Sequence, residues 1–203
     1  MYLPAHFKIE DLELIKEFIA NYPLGTLISY SENSLRMNYA PLLLESDGDK
    51  FTLIGHLAKA NTQLESLKNN PVMIGFQGPD RYISPTWYES PYQVPTWNYA
   101  AVEVRGRLEL IEDFAGIEEI LAKSTTQFEK RNNTTWNYEL PENIRQAMVK
   151  HIVGIKITVE HLEAKFKLSQ NRQPKDRAKV TSQLELSPST TDQEMWQLMK
   201  RLS

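Results

Sequence analysis

The chain has 203 residues, 41% of them hydrophobic and 24% charged, with a formal net charge of −3. That allows one sizeable core, with or without a C-terminal addition, and is the wrong sign for a surface that coats nucleic acid throughout. Zero cysteines exclude disulfides, thiolate metal sites and thiol nucleophiles, and no apolar run approaches the ~18 residues needed to span a bilayer.

Residues 1–22 are amphipathic and acidic with no hydrophobic centre, so no secretory leader is expected and the cytoplasm is the expected compartment. Leu12, Ile15, Phe18, Ile19 and Tyr22 recur at helical spacing over residues 11–21, and Pro23 stops the pattern. LGTLISY (24–30) reads as a strand, residues 31–34 as a turn, and 35–44 as the returning arm, where Pro41 marks an edge or a bulge. Ser46-Asp47-Gly48-Asp49 is a second turn, leading into a third strand over 51–56. Leu57, Leu64 and Leu67 share one face of an expected helix over 57–70, ended by Asn69-Asn70-Pro71. Residues 72–77 form a short apolar strand, after which Gly78-Pro79-Asp80 is expected to turn the chain.

The stretch that follows, RYISPTWYESPYQVPTWNYAAVEVRG (81–106), is the most unusual in the sequence. Between Tyr82 and Tyr99 it holds two of the four tryptophans, four of the nine tyrosines and three prolines. It is too broken by proline for a helix and too aromatic for a solvated linker. Trp87 and Trp97 either fill a barrel core or wall a ligand, and composition leaves both open. From Asn98 the pattern alternates as a long strand to Ile111, with a bulge expected at Gly106.

Phe114, Ile117, Ile120, Leu121 and Phe128 mark a helix with Asp113 as N-cap, followed by a polar loop over 129–138. Pro141 opens another helix, and IVGIKITVE (152–160) alternates as the last strand. Beyond a hinge at Pro188, a capping-box pattern at Thr191–Glu194 opens an amphipathic helix with Met195, Leu198, Met199 and Leu202 on one stripe. Many short strands with helices between them predict an α+β domain built on an antiparallel barrel over residues 1–186, with residues 187–203 as a separate C-terminal helix.

Neither a dinucleotide-binding nor a phosphate-loop glycine pattern is present, and the four histidines lack metal-ligand spacing. Two other stretches carry candidate chemistry. In GHLAKAN (55–61), Lys59 and Asn61 sit where a strand gives way to the expected helix, a corner that can hold a phosphate. The plain alternative is an ordinary loop with Asn61 as N-cap and Lys59 in solvent. In EAKFKLSQNR (163–172), alternating Lys165 and Lys167 lead into an uncharged hydrogen-bonding run, and six basic residues lie between Lys165 and Lys179 against Asp176 alone.

Taken together, YPLGTL (22–27), GHLAKAN, FQGP (76–79), YISP (82–85), VPTWNY (94–99) and KFKLSQN (165–171) resemble the PaiB-type FMN-binding negative transcriptional regulators, which belong with the split-barrel flavin-binding proteins. The resemblance runs from Met1 to about Leu184 and implies a six-stranded split β-barrel with peripheral helices, a homodimer, and FMN at the subunit interface. It implies further that His56, Lys59 and Asn61 hold the FMN phosphate and that Thr96, Trp97 and Asn98 face the flavin, with Trp97 as its wall. Lys165, Ser169, Gln170 and Asn171 would complete the site, from the same or the partner subunit. Repression of transcription is the implied output, through DNA or a protein partner; no helix-turn-helix is recognisable, and residues 172–179 are the one DNA-facing candidate. A flavin-dependent oxidoreductase of the flavin reductase or oxidase type is the alternative, although no residue stands out as a catalytic acid or base.

Overall fold

The computed structural model describes residues 1–68 and 70–202. In chain order the elements are β1 (Lys8–Ile9), α1 (Leu12–Asn21), β2 (Leu24–Ser31), β3 (Ser34–Pro41), β4 (Leu43–Asp47), β5 (Lys50–Ala58), α2 (Leu64–Leu67), β6 (Pro71–Ile83), β7 (Thr96–Ile111), α3 (Phe114–Arg131), α4 (Glu142–Val149), β8 (Ile152–Lys167), α5 (Pro174–Glu185) and α6 (Thr190–Arg201). Short 3-10 turns cover Ala5–Phe7 and Pro85–Trp87. The strands run β3-β2-β6-β7-β8-β5-β4 across the sheet, with β1 on β8, and β2 pairs antiparallel with both β3 and β6, as β5 does with β4 and β8. The chain folds as two compact units, one of Met1–Ile15, Gln77–Val102 and Glu163–Ser203, the other of Lys16–Phe76 and Glu103–Leu162. Strands β6, β7 and β8 contribute residues to both.

Several elements follow from local chemistry. Asp11 caps α1 by accepting from the amides of Glu13 at 3.0 Å and Leu14 at 3.1 Å, and the helix buries Leu14, Ile15, Phe18 and Ile19. Asp113 caps α3 through the Gly116 amide at 2.8 Å, as its position before the apolar stripe predicts. Gly48, at φ +58°, makes the tight turn between β4 and β5, where Asp47 pairs with Lys50. Tyr138 donates to Glu118 at 2.8 Å, and Arg145 pairs with the same carboxylate, tying the loop after α3 and the helix α4 back onto α3.

In the larger unit, β7 and β8 approach so closely that a Cβ on Gly106 would lie 2.1 Å from the Thr158 carbonyl oxygen. The glycine foreseen as a bulge is thus a close approach of two backbones. A buried polar network underlies the β2–β3 hairpin. The Gln63 amide donates to Leu27 O at 3.2 Å, Ser29 Oγ at 3.0 Å and Arg36 O at 3.2 Å, while Ser29 and Ser66 share a hydrogen bond of 2.7 Å.

The structure departs from the sequence expectations at five places. The arm expected over 35–44 ends at Pro41, which cannot donate to a ladder, and residues 43–47 begin a new hairpin with β5. The helix expected over 57–70 is four residues long, because β5 continues to Ala58 and buries Leu57 as a strand residue; Asn69, part of its expected end, lies outside the described residues. Strand β6 runs straight through Gly78-Pro79-Asp80 to Ile83. Residues 174–185, set aside as a charged run, form α5, with Pro174 at its first turn and Asp176, Val180 and Leu184 buried at i, i+4, i+8. The capping box before α6 does not form. Ser189 makes no side-chain cap there, and Gln193 instead donates to the carbonyls of Leu184 (3.3 Å), Glu185 (2.8 Å) and Ser187 (2.8 Å), fixing the α5–α6 corner read as a hinge.

Gly106→Ala is expected to destabilise the protein by about 2 kcal/mol or more in chemical denaturation, since the added methyl overlaps backbone that cannot yield cheaply. Gly75→Ala, whose Cβ meets nothing within 4 Å, should leave stability unchanged or raise it by up to ~1 kcal/mol.

Candidate functional site

The smaller unit gathers most of the residues singled out in the sequence. Strand β7 opens with Thr96, Trp97 and Asn98, and β8 closes with Lys165, Phe166 and Lys167 before the turn through Ser169, Gln170 and Asn171. Asn98 is fully buried; its carbonyl oxygen accepts from Ser169 Oγ at 3.1 Å and its amide lies 3.8 Å from the Met199 sulfur of α6. Ser169 has φ +63°, the left-handed region that serine rarely takes. The Gln170 side chain closes the same turn, accepting from the Leu168 amide at 2.6 Å and donating to the Phe166 carbonyl at 2.5 Å.

Thr96, Asn98, Ser169 and Asn171 line one cavity of about 30 Å³ together with Lys167 and Arg172. The Lys167 ammonium donates to Thr96 Oγ1 and to the Trp97 carbonyl, which fixes the start of β7 against the end of β8. Burial, reinforced by the neighbouring Arg172 and Lys165 charges, pulls the Lys167 pKa below the ordinary lysine value. Trp97 is 53% exposed, its ring set edge-on to Tyr82 with centroids 6.0 Å apart. An indole this exposed is not a core filler. Lys165 and Gln170 do not line this cavity. Lys165 is buried between the rings of Tyr2 (5.5 Å) and Tyr99 (5.4 Å), and its ammonium donates to the Tyr2 carbonyl at 3.0 Å.

The Pro-rich segment before β7 is pinned by α5. The Asp176 carboxylate is buried and accepts from the amides of Glu89 and Ser90, each at 2.9 Å. Arg172 donates to Gln93 at 2.7 Å and lies 4.8 Å from the Tyr88 ring centroid. Burial pushes the Asp176 carboxyl up, but the Ser90 and Glu89 donors and the Lys175 charge outweigh it and hold the pKa below the usual aspartate value. Sequence reasoning passed over Lys167, Arg172 and Asp176 as site-building residues. The available signal was the i, i+2 spacing of Lys165 and Lys167 on one strand.

His56, Lys59 and Asn61 belong to the larger unit. His56 is half-buried at the end of β5, and burial lowers its pKa, so the ring is neutral near pH 7. Lys59 is exposed, and its backbone amide donates to the His151 carbonyl at 2.9 Å. Asn61 Oδ1 accepts from the Gln63 amide at 2.9 Å and from Asn38 at 3.3 Å, holding the turn that feeds α2. With α2 only four residues long, no extended helix dipole stands behind this corner.

Residues 1–161 match the family described as "Putative FMN-binding domain". Over 201 residues, 98% of this chain and 97% of the relative, the sequence is 33% identical to the protease synthase and sporulation protein PAI 2 of Bacillus subtilis. The FAD and heme binding protein of Mycobacterium smegmatis superposes with a TM-score of 0.60 at 13% identity, covering 79% of this chain and 73% of that one. The flavocytochrome Anf3 of Azotobacter vinelandii gives 0.58 at 16%, covering 79% and 69%. These likenesses establish the fold as the split β-barrel of flavin-binding proteins, with peripheral helices. Among the described residues no helix is long and apolar enough to cross a membrane.

Because the folded carboxyl pKa of Asp176 is depressed, its stabilising effect is present above the unfolded value of about 3.9 and is lost as pH falls through the folded one. Hydrogen exchange at the Glu89 and Ser90 amides should therefore stay slow from neutral pH to about pH 4 and accelerate in stronger acid. Asp176→Ala should raise that exchange roughly tenfold or more from neutral pH to about pH 4, since both amides lose a charged acceptor, and the difference from the wild type should shrink in stronger acid.

Proposed function

The chain belongs to the FMN-binding family that its sequence matches over residues 1–161, and from that premise we propose that it is a homodimeric FMN-binding regulator of the PaiB type. The observation that carries this reading is the cavity at the junction of β7 and β8, where two cations and four hydroxyl or amide side chains converge next in sequence to the exposed Trp97. FMN needs both parts, a cationic, hydrogen-bonding cradle and a flat apolar wall. The donor set fits the group. Bound FMN supplies an isoalloxazine ring able to take up and release electrons.

In this reading Thr96, Asn171 and the Lys167 cation address the polar edge of the flavin, and Trp97 covers a face. Asn98, Ser169, Gln170 and Lys165 hold those groups in place from behind. Lys59 takes the phosphate with its exposed side chain. Asn61 shapes its turn, and the neutral His56 offers a hydrogen bond rather than a charge.

A cavity of about 30 Å³ accepts an oxyanion or one edge of a ring, far less than a mononucleotide, in keeping with a site that a second subunit completes. The outer face of the β2–β3 hairpin supports the same assembly. Leu24, Tyr30, Leu35, Met37 and Tyr39 are 56–73% exposed along one face of paired strands, where a solvated hairpin carries polar residues. Strand β3 is also an edge of the sheet.

For the regulatory output, a protein partner is the better supported route. Of the six basic residues between Lys165 and Lys179, Lys165 lies between tyrosine rings and Lys167 holds Thr96 and Trp97. Arg172 holds Gln93, Arg177 the carbonyls of Met199 and Leu202, and Lys179 lies 3.5 Å from Glu89. With five of the six cations already engaged inside their own unit, and the exposed Lys175 the sixth, the row makes a poor track for DNA phosphates.

Fluorescence titration with FMN and riboflavin tests the site. Lys59→Ala should weaken FMN roughly tenfold or more and leave riboflavin nearly unchanged, as for loss of one charge-assisted phosphate contact. Lys167→Ala should weaken both flavins together, because it releases Thr96 and Trp97. An unchanged FMN affinity in both variants would remove the proposed site. For the assembly, light scattering over a dilution series should give a dimer whose dissociation constant rises roughly tenfold or more in Met37→Lys. A wild-type monomer with full flavin affinity contradicts the dimer.

A further inference from the structure

One face of α5 carries Pro174, Arg177, Ala178, Thr181, Ser182 and Glu185, at the i, i+3, i+4 spacing of a single stripe. The opposite face, Asp176, Val180 and Leu184, is buried. The stripe, with Gln170 and Arg172 from the preceding turn, lines a groove of about 520 Å³, in the range of small-molecule sites.

The groove has an uncompensated charge. Arg172 and Arg177 are both held rigid, yet only by neutral partners. Arg172 donates to the Gln93 side-chain carbonyl at 2.7 Å over the Tyr88 ring, and Arg177 donates to the Met199 and Leu202 carbonyls at 3.1 and 3.0 Å. Neither guanidinium makes an ion pair among the described residues, and Arg177 Nε is buried without a partner. Two pre-positioned guanidinium groups bind a planar or tetrahedral oxyanion without the ordering cost that free surface arginines incur. The Ser182 hydroxyl, which has no partner among the described residues, adds a donor. Thr181 already donates to the Arg177 carbonyl at 2.9 Å, so it can only accept. Glu185, two helical turns or about 12 Å beyond Arg177, repels an anion and accepts from a donor.

We propose that this groove binds a small organic anion, its carboxylate or phosphate at the Arg172–Arg177 end and a hydrogen-bond donor towards Glu185. The site is distinct in purpose from the flavin cavity, which Arg172 also lines. A ligand sensed there fits a regulator, but binding does not depend on flavin being present.

Isothermal titration of the full chain with inorganic phosphate and with succinate tests the proposal and separates phosphate from carboxylate recognition. At least one should bind saturably in the millimolar range or tighter. Ala178→Glu, which places a carboxylate on an exposed position of the stripe, should weaken that binding tenfold or more, and Ala178→Lys should strengthen it. Circular dichroism confirms that both variants are folded, and FMN affinity should be the same in each. Four results overturn the proposal. One is no saturable binding of either anion at 10-fold millimolar excess, and another is binding indifferent to the charge at position 178. The third is Ala178→Glu weakening FMN as strongly as it weakens the anion, which would make the groove part of the flavin site. Duplex DNA displacing the bound anion in a salt-sensitive manner would assign the two arginines to nucleic acid instead and equally overturn it. Failure to bind flavin, with anion binding intact, would sink the flavin site and leave this one standing.

Discussion

The buried side chain of Asn98 is the constraint on which the candidate site depends. An amide with no solvent contact costs about 1–3 kcal/mol if its partners are missing, so its surroundings must supply them. Ser169 supplies a hydroxyl donor at 3.1 Å, and α6 brings the Met199 sulfur to 3.8 Å of the amide nitrogen. The serine reaches Asn98 from a left-handed backbone conformation, a strain of the order of 1 kcal/mol that the amide bonds of Gln170 on the same turn help to hold. Once Asn98 is fixed, the two residues before it are fixed as well. Thr96 then meets Lys167, and Trp97, pointing to the other face of the strand, is left outside.

Seen from α5, the same economy of charge recurs. A sequence with six cations and one acid over 15 residues looks like a surface for phosphates, yet the single acid is the one most buried. Asp176 is tied to backbone amides of the Pro-rich segment, and although Lys179 faces Glu89 at 3.5 Å, most of the cations nearby have no acid to pair with among the described residues. They are used instead as rigid donors to neutral oxygens, in Lys165, Arg172 and Arg177 alike. Net positive charge held rigid in a concave surface favours small anions over a long polyanion, which needs a row of mobile cations.

What could be read from the sequence was whatever local chemistry decides. The cap at Asp113, the turn at Gly48 and the period-2 runs of β2, β5, β7 and β8 are set within a few residues, and the fold class follows from their order. The failures share one cause. Leu57 was read as helical because its spacing to Leu64 fits a helix, whereas pairing to Val153 of β8 makes it a strand residue. Helix α5 was missed because its apolar face consists of two residues and an aspartate, a stripe that looks charged until the loop that satisfies Asp176 is known. In the candidate site, motif resemblance picks out segments but does not separate residues that face outward from those that brace them. Lys165 and Lys167 point to the same side of one strand, and only the tyrosine rings packed around Lys165 decide which ammonium is spent on the fold.

That separation also explains why the chain looks unfinished by itself. A core that fixes Thr96 and Lys167 this firmly leaves them around a space no larger than a water molecule's share of volume, and the neighbouring Trp97, with half its surface exposed, is a costly ornament unless something covers it. The larger unit presents the same imbalance independently, with five large apolar side chains aligned outward on its edge hairpin while Gln63, Ser29 and Ser66 fill the space beneath. Apolar side chains on the outer face are unusual for a strand pair in water, whose inner face here also buries Leu27 and Ala40. In the proposed assembly a second copy covers the hairpin of the larger unit, and in the proposed site a flavin covers the indole of the smaller one.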